Sequence, residues 1–266
     1  MQALPLTRKR DSDEGNDTCI IDAVEKLIVG AAKLGINLAP AQIRQFETFY
    51  HLLADWNQRI NLTSVINYDE VQVKHFLDSL TVVLAVKGAL EDGGSGIDMI
   101  DVGAGAGLPG IPLKLVLPHS RLVLLDSVGK KTSFLRELVH RLALERVEVV
   151  TARAEDAARQ TSYRETFNLV LARALARLPV AAELTLPFCR PVGITVHQKK
   201  GDIAGELKEA ETAVKILGGQ LRDVLTVGLD ELSDDRCLVV IEKVKSTPLK
   251  YPRRAGMPQK RPIGQV

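Results

Sequence analysis

Apolar residues recur at two different spacings along this chain, and the spacing changes near residue 97. Before that point the period is helical. Ile20, Val24, Leu27 and Ala31 share one face of a helix expected over 20–36. Pro40 opens a second helix, with Ile43, Phe46, Phe49, Tyr50, Leu53 and Trp56 facing inward, which stops within 57–61. A third helix is expected over 69–86, and the Gly-rich stretch 91–96 reads as a flexible connection.

From Ile97 onward, short apolar runs alternate with helical segments. Strands are expected over 97–102, 121–126, 146–151, 167–172, 192–198, 220–228 and 236–244. Helices are expected over 109–117, 129–144, 154–159, 176–187 and 202–217. Such alternation implies a parallel sheet with helices on both faces. The last two strands follow one another without a helix, so one of them is expected to be antiparallel. The expected fold class is therefore α/β. It has a seven-stranded, mostly parallel sheet of the Rossmann-like class I methyltransferase type, preceded by an N-terminal helical extension. Four parts follow: a disordered extension over 1–18, a helical region over 19–90, a cofactor-binding core over 91–246, and a basic Pro-rich tail over 247–266.

Ligands of such sheets bind beyond the carboxyl ends of the strands, beside the first one. That edge nominates Gly103–Leu108, Asp126, Ala154 with Glu155, and Arg173. The first of these lies in Asp101-Val-Gly-Ala-Gly-Ala-Gly-Leu-Pro-Gly110, where Gly103, Gly105 and Gly107 permit a tight turn and close approach of a ligand. Asp126 ends the second strand, where an acid can accept both hydroxyls of a ribose. The spacing Gly105-x-Gly107-x-x-Gly110 also fits a dinucleotide fingerprint. Two details favour S-adenosylmethionine over a dinucleotide. Asp101 precedes the glycines, where a carboxylate suits a cationic amino group and not a pyrophosphate. Pro109 and Pro112 remove N–H donors that a pyrophosphate would use. A purely structural glycine turn is the third reading.

Each nominee has a plainer alternative. Asp126 could cap the next helix. Glu155 could be an ordinary first-turn acid. Arg173 could form a surface salt bridge, and Lys199-Lys200-Gly201 could be a solvated loop. His75 and Asp78, spaced i, i+3, read as no more than a helix-surface pair.

Composition narrows the picture. Of 266 residues 45% are hydrophobic, and the net charge is only +2, so the molecule as a whole is not a polycation. The charge is concentrated instead. Residues 243–266 carry seven Lys or Arg and no acid, with Pro248, Pro252, Pro258 and Pro262 expected to keep the segment extended. Lys250, Tyr251, Arg253, Arg254, Lys260 and Arg261, with Lys199 and Lys200, are therefore candidate RNA contacts, Tyr251 as a stacking face. The cysteines Cys19, Cys189 and Cys237 are scattered, which points to a reducing cytoplasm and no metal site. No secretory segment is visible, and no apolar run approaches the ~18 residues of a membrane span.

Several of these pieces together resemble one family. Trp56-Asn-Gln-Arg-Ile-Asn-Leu-Thr63, His75-Phe-Leu-Asp-Ser-Leu80, the glycine loop through Pro112, Leu125-Asp-Ser-Val-Gly-Lys-Lys131 and Tyr251-Pro-Arg-Arg-Ala-Gly-Met-Pro258 occur in that order. Over roughly 43–263 the chain resembles the bacterial RsmG (glucose-inhibited division protein B) family. The resemblance implies transfer of a methyl group from S-adenosylmethionine to N7 of one guanine in small-subunit ribosomal RNA, free or in the small ribosomal particle. It implies cofactor contacts at Gly103, Leu108, Asp126, Ala154, Glu155 and Arg173. No general base is expected, because N7 carries no proton; Arg173 would position the substrate. A monomer is expected. Asn168, Ala172 and the His197-Gln-Lys-Lys-Gly201 approach depart from the family pattern. The rival readings are a dinucleotide-dependent oxidoreductase, a methyltransferase for a small molecule or protein, and a non-enzymatic RNA-binding assembly factor. On the favoured reading, deleting 250–266 weakens RNA binding and flattens its salt dependence while leaving cofactor affinity unchanged, as titrations at several ionic strengths would report.

Overall fold

A computed structural model of the chain describes residues 24–264, except Lys87 and Ser233. The expectations for 1–18, Cys19 and Ile20 lie outside the described residues. Helix α1 (Glu25–Lys33) and helix α2 (Pro40–Asn57) bury the faces expected of them, through Leu27 and Ala31, and through Ile43, Phe46, Phe49 and Leu53. Tyr50 and Trp56 are only partly buried, at the margin of the same core.

The third helical path, α3 (68–85), is not one regular helix. It is α-helical at Tyr68–Val71, π-helical at Gln72–Leu77, α-helical at Asp78–Leu80 and 3-10 at Thr81–Ala85. Single π turns occur frequently at functional sites, and this one carries His75.

The sheet has seven strands: β1 (Asp98–Val102), β2 (Arg121–Asp126), β3 (Val147–Thr151), β4 (Phe167–Arg173), β5 (Cys189–Lys200), β6 (Gly219–Thr226) and β7 (Arg236–Lys243). Their order is β3-β2-β1-β4-β5-β7-β6. Five strands are parallel, and β7 runs antiparallel to both β5 and β6. The expected antiparallel member is thus β7, inserted between its two neighbours. Helices α4 (Gly110–Val116), α5 (Gly129–Arg141), α6 (Ala154–Ala157), α7 (Leu178–Thr185) and α8 (Ala204–Ile216) connect the strands.

Alternation along the strands sorts the core. Met99, Leu122, Leu124, Leu169, Leu171, Val196, Leu238 and Val240 face the N-terminal helices, where the Phe76 ring lies 5.0 Å from Phe46 and 5.1 Å from Phe49. Ile100, Val102, Val123, Phe167 and Phe188 fill one part of the opposite face. Leu186, Ala213, Val239 and Ile241 fill the rest, together with Tyr251 and Ile263.

Those last two residues overturn the expectation of an extended tail. The C-terminal arm folds back on the sheet's second face and ends in a helical turn, α9 (Met257–Lys260). Lys243 is fully buried and donates to the carbonyl of Leu186 (2.7 Å) and to Thr247 Oγ1 (2.6 Å), 3.0 Å from the Glu165 carboxylate. Arg164 donates to the carbonyls of Thr247 (2.8 Å) and Tyr251 (2.9 Å), and Arg159 to that of Pro252 (2.7 Å). The arm's own sequence contains no acid; the acids that hold it are on the core.

Lys243→Met should therefore lower stability by roughly 2–4 kcal/mol, toward the lower side for breaking a buried pair because Glu165 keeps some water. A reduced midpoint in urea denaturation is the expected reading.

Candidate functional site

The same period of two that builds the core also builds the site. Continuing the face of Met99, Leu124, Leu171, Val196 and Leu238 to the strands' ligand-side ends gives Asp101, Asp126, Arg173, Gln198 and Arg236. Because β7 is reversed, Arg236 reaches this edge from the start of its strand. Apolar residues give way to charged ones where the strands leave the core.

Asp101 is completely buried. Its Oδ2 accepts from the Gly110 N–H at 2.8 Å, and its Oδ1 has no partner among the described residues. Burial pushes its carboxyl up to about 7, against the pull of that N–H and of nearby Arg173. A Cβ at Gly110 would meet Asp101 Oδ2 at 2.9 Å, so the helix can begin this close to the carboxylate only with glycine. Gly103, Gly105 and Gly107 all have positive φ, and a Cβ on Gly103 would fall 2.7 Å from Leu175.

Asp126 holds the loop from the other side. Its Oδ2 accepts from Gly105 N–H (2.9 Å) and its Oδ1 from Val128 N–H (2.8 Å). The helix-capping alternative is not realised: Asp126 accepts from the N-cap residue Val128 itself, and no side chain among the described residues caps the first turn of α5. Each oxygen retains a lone pair for a ligand.

Arg173 is drawn toward α3. Its Nε lies 3.1 Å from Asp78 Oδ2, and its Nη2 donates to the Lys74 carbonyl at 2.6 Å. Its Nη1 is buried without a partner among the described residues. The other Asp78 oxygen pairs with Arg236 at 2.6 Å, and the Asp78 carbonyl accepts from Gln198 at 2.7 Å. Asp234, which also binds Arg236 (2.6 Å), is held down to about 2 by that contact. His75 is lowered to about 4 by burial and by Arg173, so it is neutral at physiological pH. Thr63 Oγ1 (2.7 Å) and the Lys74 carbonyl (3.0 Å) engage its two ring nitrogens. His75 and Asp78 are therefore not a surface pair. They are buried, and a helix pattern alone does not show which strand ends such a helix will meet.

A cleft of about 400 Å³ opens at this edge, lined by Gly103, Asp126, Ser127, Glu155, Leu175 and Gly256 among others. It falls within the roughly 300–1,000 Å³ typical of small-molecule sites. A larger cavity of about 660 Å³ lies between α8 and β6, but none of the strand-end residues lines it. Of the five strand-end residues, Asp126 lines the smaller cleft, while Asp101 and Arg173 lie next in the chain to its lining residues Val102 and Ala174. Ala154 lines it too, while Leu108 is buried and is not one of its lining residues. Among the described residues no cluster of His, Cys, Asp and Glu is arranged to hold a metal ion.

Some candidates are engaged elsewhere. Glu155 points one carboxylate oxygen at the Gly256 N–H (2.9 Å), not into open space. Lys199 lies on the opposite face, bound to Glu206 (2.6 Å) and the Ala176 carbonyl (2.9 Å), because residues alternate along β5. Tyr251 is packed in the core, which removes the stacking face expected of it. Arg253 is fixed to the buried Glu183 by its Nη2 (2.6 Å), its Nε (3.0 Å) and its backbone N–H (2.8 Å). Lys200 is exposed and pairs with Asp234; Lys250, Arg254, Lys260 and Arg261 are exposed. Residues missed in the sequence are Thr63, Gln198, Asp234, Arg236 and the arm's Gly256, Pro258 and Gln259. The strand pattern could have found Gln198 and Arg236 once the place and direction of β7 were known.

A family profile described as "rRNA small subunit methyltransferase G" matches residues 42–233. A ribosomal RNA small subunit methyltransferase G from Dehalococcoides mccartyi (strain CBDB1) is 47% identical over 241 residues, covering 90% of this chain and 100% of the relative. Its counterpart from Pelotomaculum thermopropionicum is 46% identical over 239 residues, covering 90% of this chain and 98% of the relative. Among solved structures, a putative sarcosine dimethylglycine methyltransferase from Galdieria sulphuraria superposes with a TM-score of 0.50 at 11% identity, covering 68% of this chain and 89% of that one. That likeness is one of fold.

The half-satisfied Asp101 carboxylate makes a testable cost. Asp101→Asn keeps an acceptor for the Gly110 N–H and removes the buried charge. The ligand-free variant should melt at a higher temperature than the parent in calorimetry.

Proposed function

The chain belongs to the rRNA small subunit methyltransferase G family, and on that premise we propose that it methylates N7 of one guanine in small-subunit ribosomal RNA. It is an S-adenosylmethionine-dependent methyltransferase acting on that RNA. The observation that carries the site assignment is the pair of unsatisfied buried atoms, Asp101 Oδ1 and Arg173 Nη1. They lie at the strand ends beside the cleft-lining Val102 and Ala174 rather than in the lining itself, and they would suit the two charged groups of an amino-acid moiety: an acceptor for an ammonium and a donor for a carboxylate. The glycine loop and Asp126 suit the ribose, and Ala154 with the opposite wall suits the adenine.

Bound S-adenosylmethionine supplies an electrophilic methyl group on a sulfonium. The protein's part is to hold and to exclude. Asp126 fixes the loop through Gly105 and keeps free lone pairs toward the cleft. Arg173, immobilised by Asp78 and the Lys74 carbonyl, presents its remaining N–H groups in a fixed direction, which orients the site at no entropic cost during the reaction. Guanine N7 has a lone pair and no proton, so no side chain need remove one. This agrees with a His75 engaged on both ring nitrogens. Lys200, Lys250, Arg254, Lys260 and Arg261 are the proposed phosphate contacts. N7 is reachable in an unpaired or extruded base.

A monomer is the working unit on this reading. No helix among the described residues is long and apolar enough to cross a membrane. A ribosomal substrate fits a cytoplasmic setting.

Methyl-labelled S-adenosylmethionine incubated with small ribosomal subunits from a strain lacking the enzyme tests the reading. One new borohydride–aniline cleavage at a guanine is expected; label entering the RNA without such cleavage would reject N7. Asp126→Ala should weaken cofactor binding by roughly 1–3 kcal/mol, the range for charge-assisted hydrogen bonds. Unchanged affinity in calorimetry would remove Asp126 from the site.

A further inference from the structure

The cleft at the strand ends is not completed by the sheet and its loops alone. Gly256, Pro258 and Gln259 line it from the C-terminal arm. They share it with Asp126, Arg153 and Glu155, each more than a hundred residues earlier in the chain. One contact fixes the position of this wall: the Gly256 N–H donates to the Glu155 carboxylate at 2.9 Å. Glu155 is buried, and Gly256 has a φ of 79°. Few other residues could turn the arm toward the carboxylate there.

The arm reaches this point already anchored. Arg253 is tied to Glu183, Tyr251 is buried, and Ile263 packs into the second-face core beyond the helical turn. The wall is therefore a short bridge held at both ends. Pro258 is buried and stiff, and supplies an apolar surface. Gln259 is exposed with an amide that can donate and accept, which suits the edge of an adenine. Arg254, Lys260 and Arg261 are exposed on the same bridge. The arm thus has a cleft-facing side and a positively charged outer side within a few residues.

We propose that residues 256–261 form a wall of the cofactor pocket, latched through Glu155, and that this wall couples cofactor binding to RNA binding. The proposal rests on the cofactor and substrate reading given above. It replaces the cofactor contact expected of the Glu155 side chain with one of positioning the arm. It also contradicts the expectation that the tail can be removed without cost to cofactor affinity. Ordering the bridge with one ligand lowers the ordering cost for the other, which is positive cooperativity without a change of fold.

Hydrogen–deuterium exchange on the intact chain, with and without S-adenosylhomocysteine, tests it. Amides in 256–261 should exchange on the order of tenfold more slowly with the ligand, together with those of the glycine loop 103–108. Slowing in the glycine loop alone overturns the wall. Slowing in neither segment overturns the cofactor reading, and the proposal with it. A chain ending at Ala255, checked by thermal melting, should bind S-adenosylhomocysteine on the order of tenfold more weakly. An unchanged Kd in a folded truncated chain overturns the wall independently. If truncation prevents folding, the exchange experiment on the intact chain still decides. For the coupling, S-adenosylhomocysteine should raise the full chain's affinity for small-subunit ribosomal RNA severalfold. Equal affinities with and without it would remove the coupling.

Discussion

One buried carboxylate holds the two halves of this protein in register. Asp78 gives one oxygen to Arg173 of β4 and the other to Arg236 of β7, while its backbone carbonyl receives Gln198 of β5. Three neighbouring strands are thereby tied to the same point on α3. A buried carboxylate is costly to desolvate, and two guanidiniums offset that cost only if the geometry is right. The interaction therefore specifies position more than it adds stability. Any shift of α3 along the strand ends would leave at least one buried charge without a partner. The π turn just before Asp78 fits this requirement, because it presents the Lys74 carbonyl to the same arginine.

Much of the fold could be read from apolar spacing alone. The seven strands, the helices between them and the antiparallel member follow from residue periods that tertiary packing did not override. The glycine loop and Asp126 were legible because strand-end position carries meaning in such sheets. The role of Asp78 was not legible. It depends on β7 lying between β5 and β6, a matter of strand order that no local pattern encodes. Lys199 and Lys200 show the limit clearly: adjacent in sequence and alike in charge, they fall on opposite faces of β5 and meet different acids.

The tail misled for a related reason. Its charge and prolines describe a segment suited to solvent and RNA, and its outer side matches that description. What the segment could not reveal is that Glu155, Glu165 and Glu183, spread over a separate part of the chain, are placed to receive it. Residues 243–266 hold seven positive residues and no acid; two of them, Lys243 and Arg253, are nevertheless paired with acids of the core. Lys243 and Arg253 serve the fold, and the charges left outside serve the surface.

The reversal of β7 has a consequence for the chain's reach. The strand starts at the ligand edge and finishes at the far edge, so the chain leaves Lys243 on the wrong side of the sheet to touch the pocket. It must climb the full height of the domain before Gly256 can meet Glu155. The thirteen steps from Lys243 to Gly256 cover that height through turns, one of them closed by the Tyr251 N–H on the Pro248 carbonyl, and are pinned along the way at Thr247, Tyr251 and Arg253. The segment's sequence can vary wherever side chains face water, whereas the pinned carbonyls and Arg253 must stay in register with the core groups that receive them.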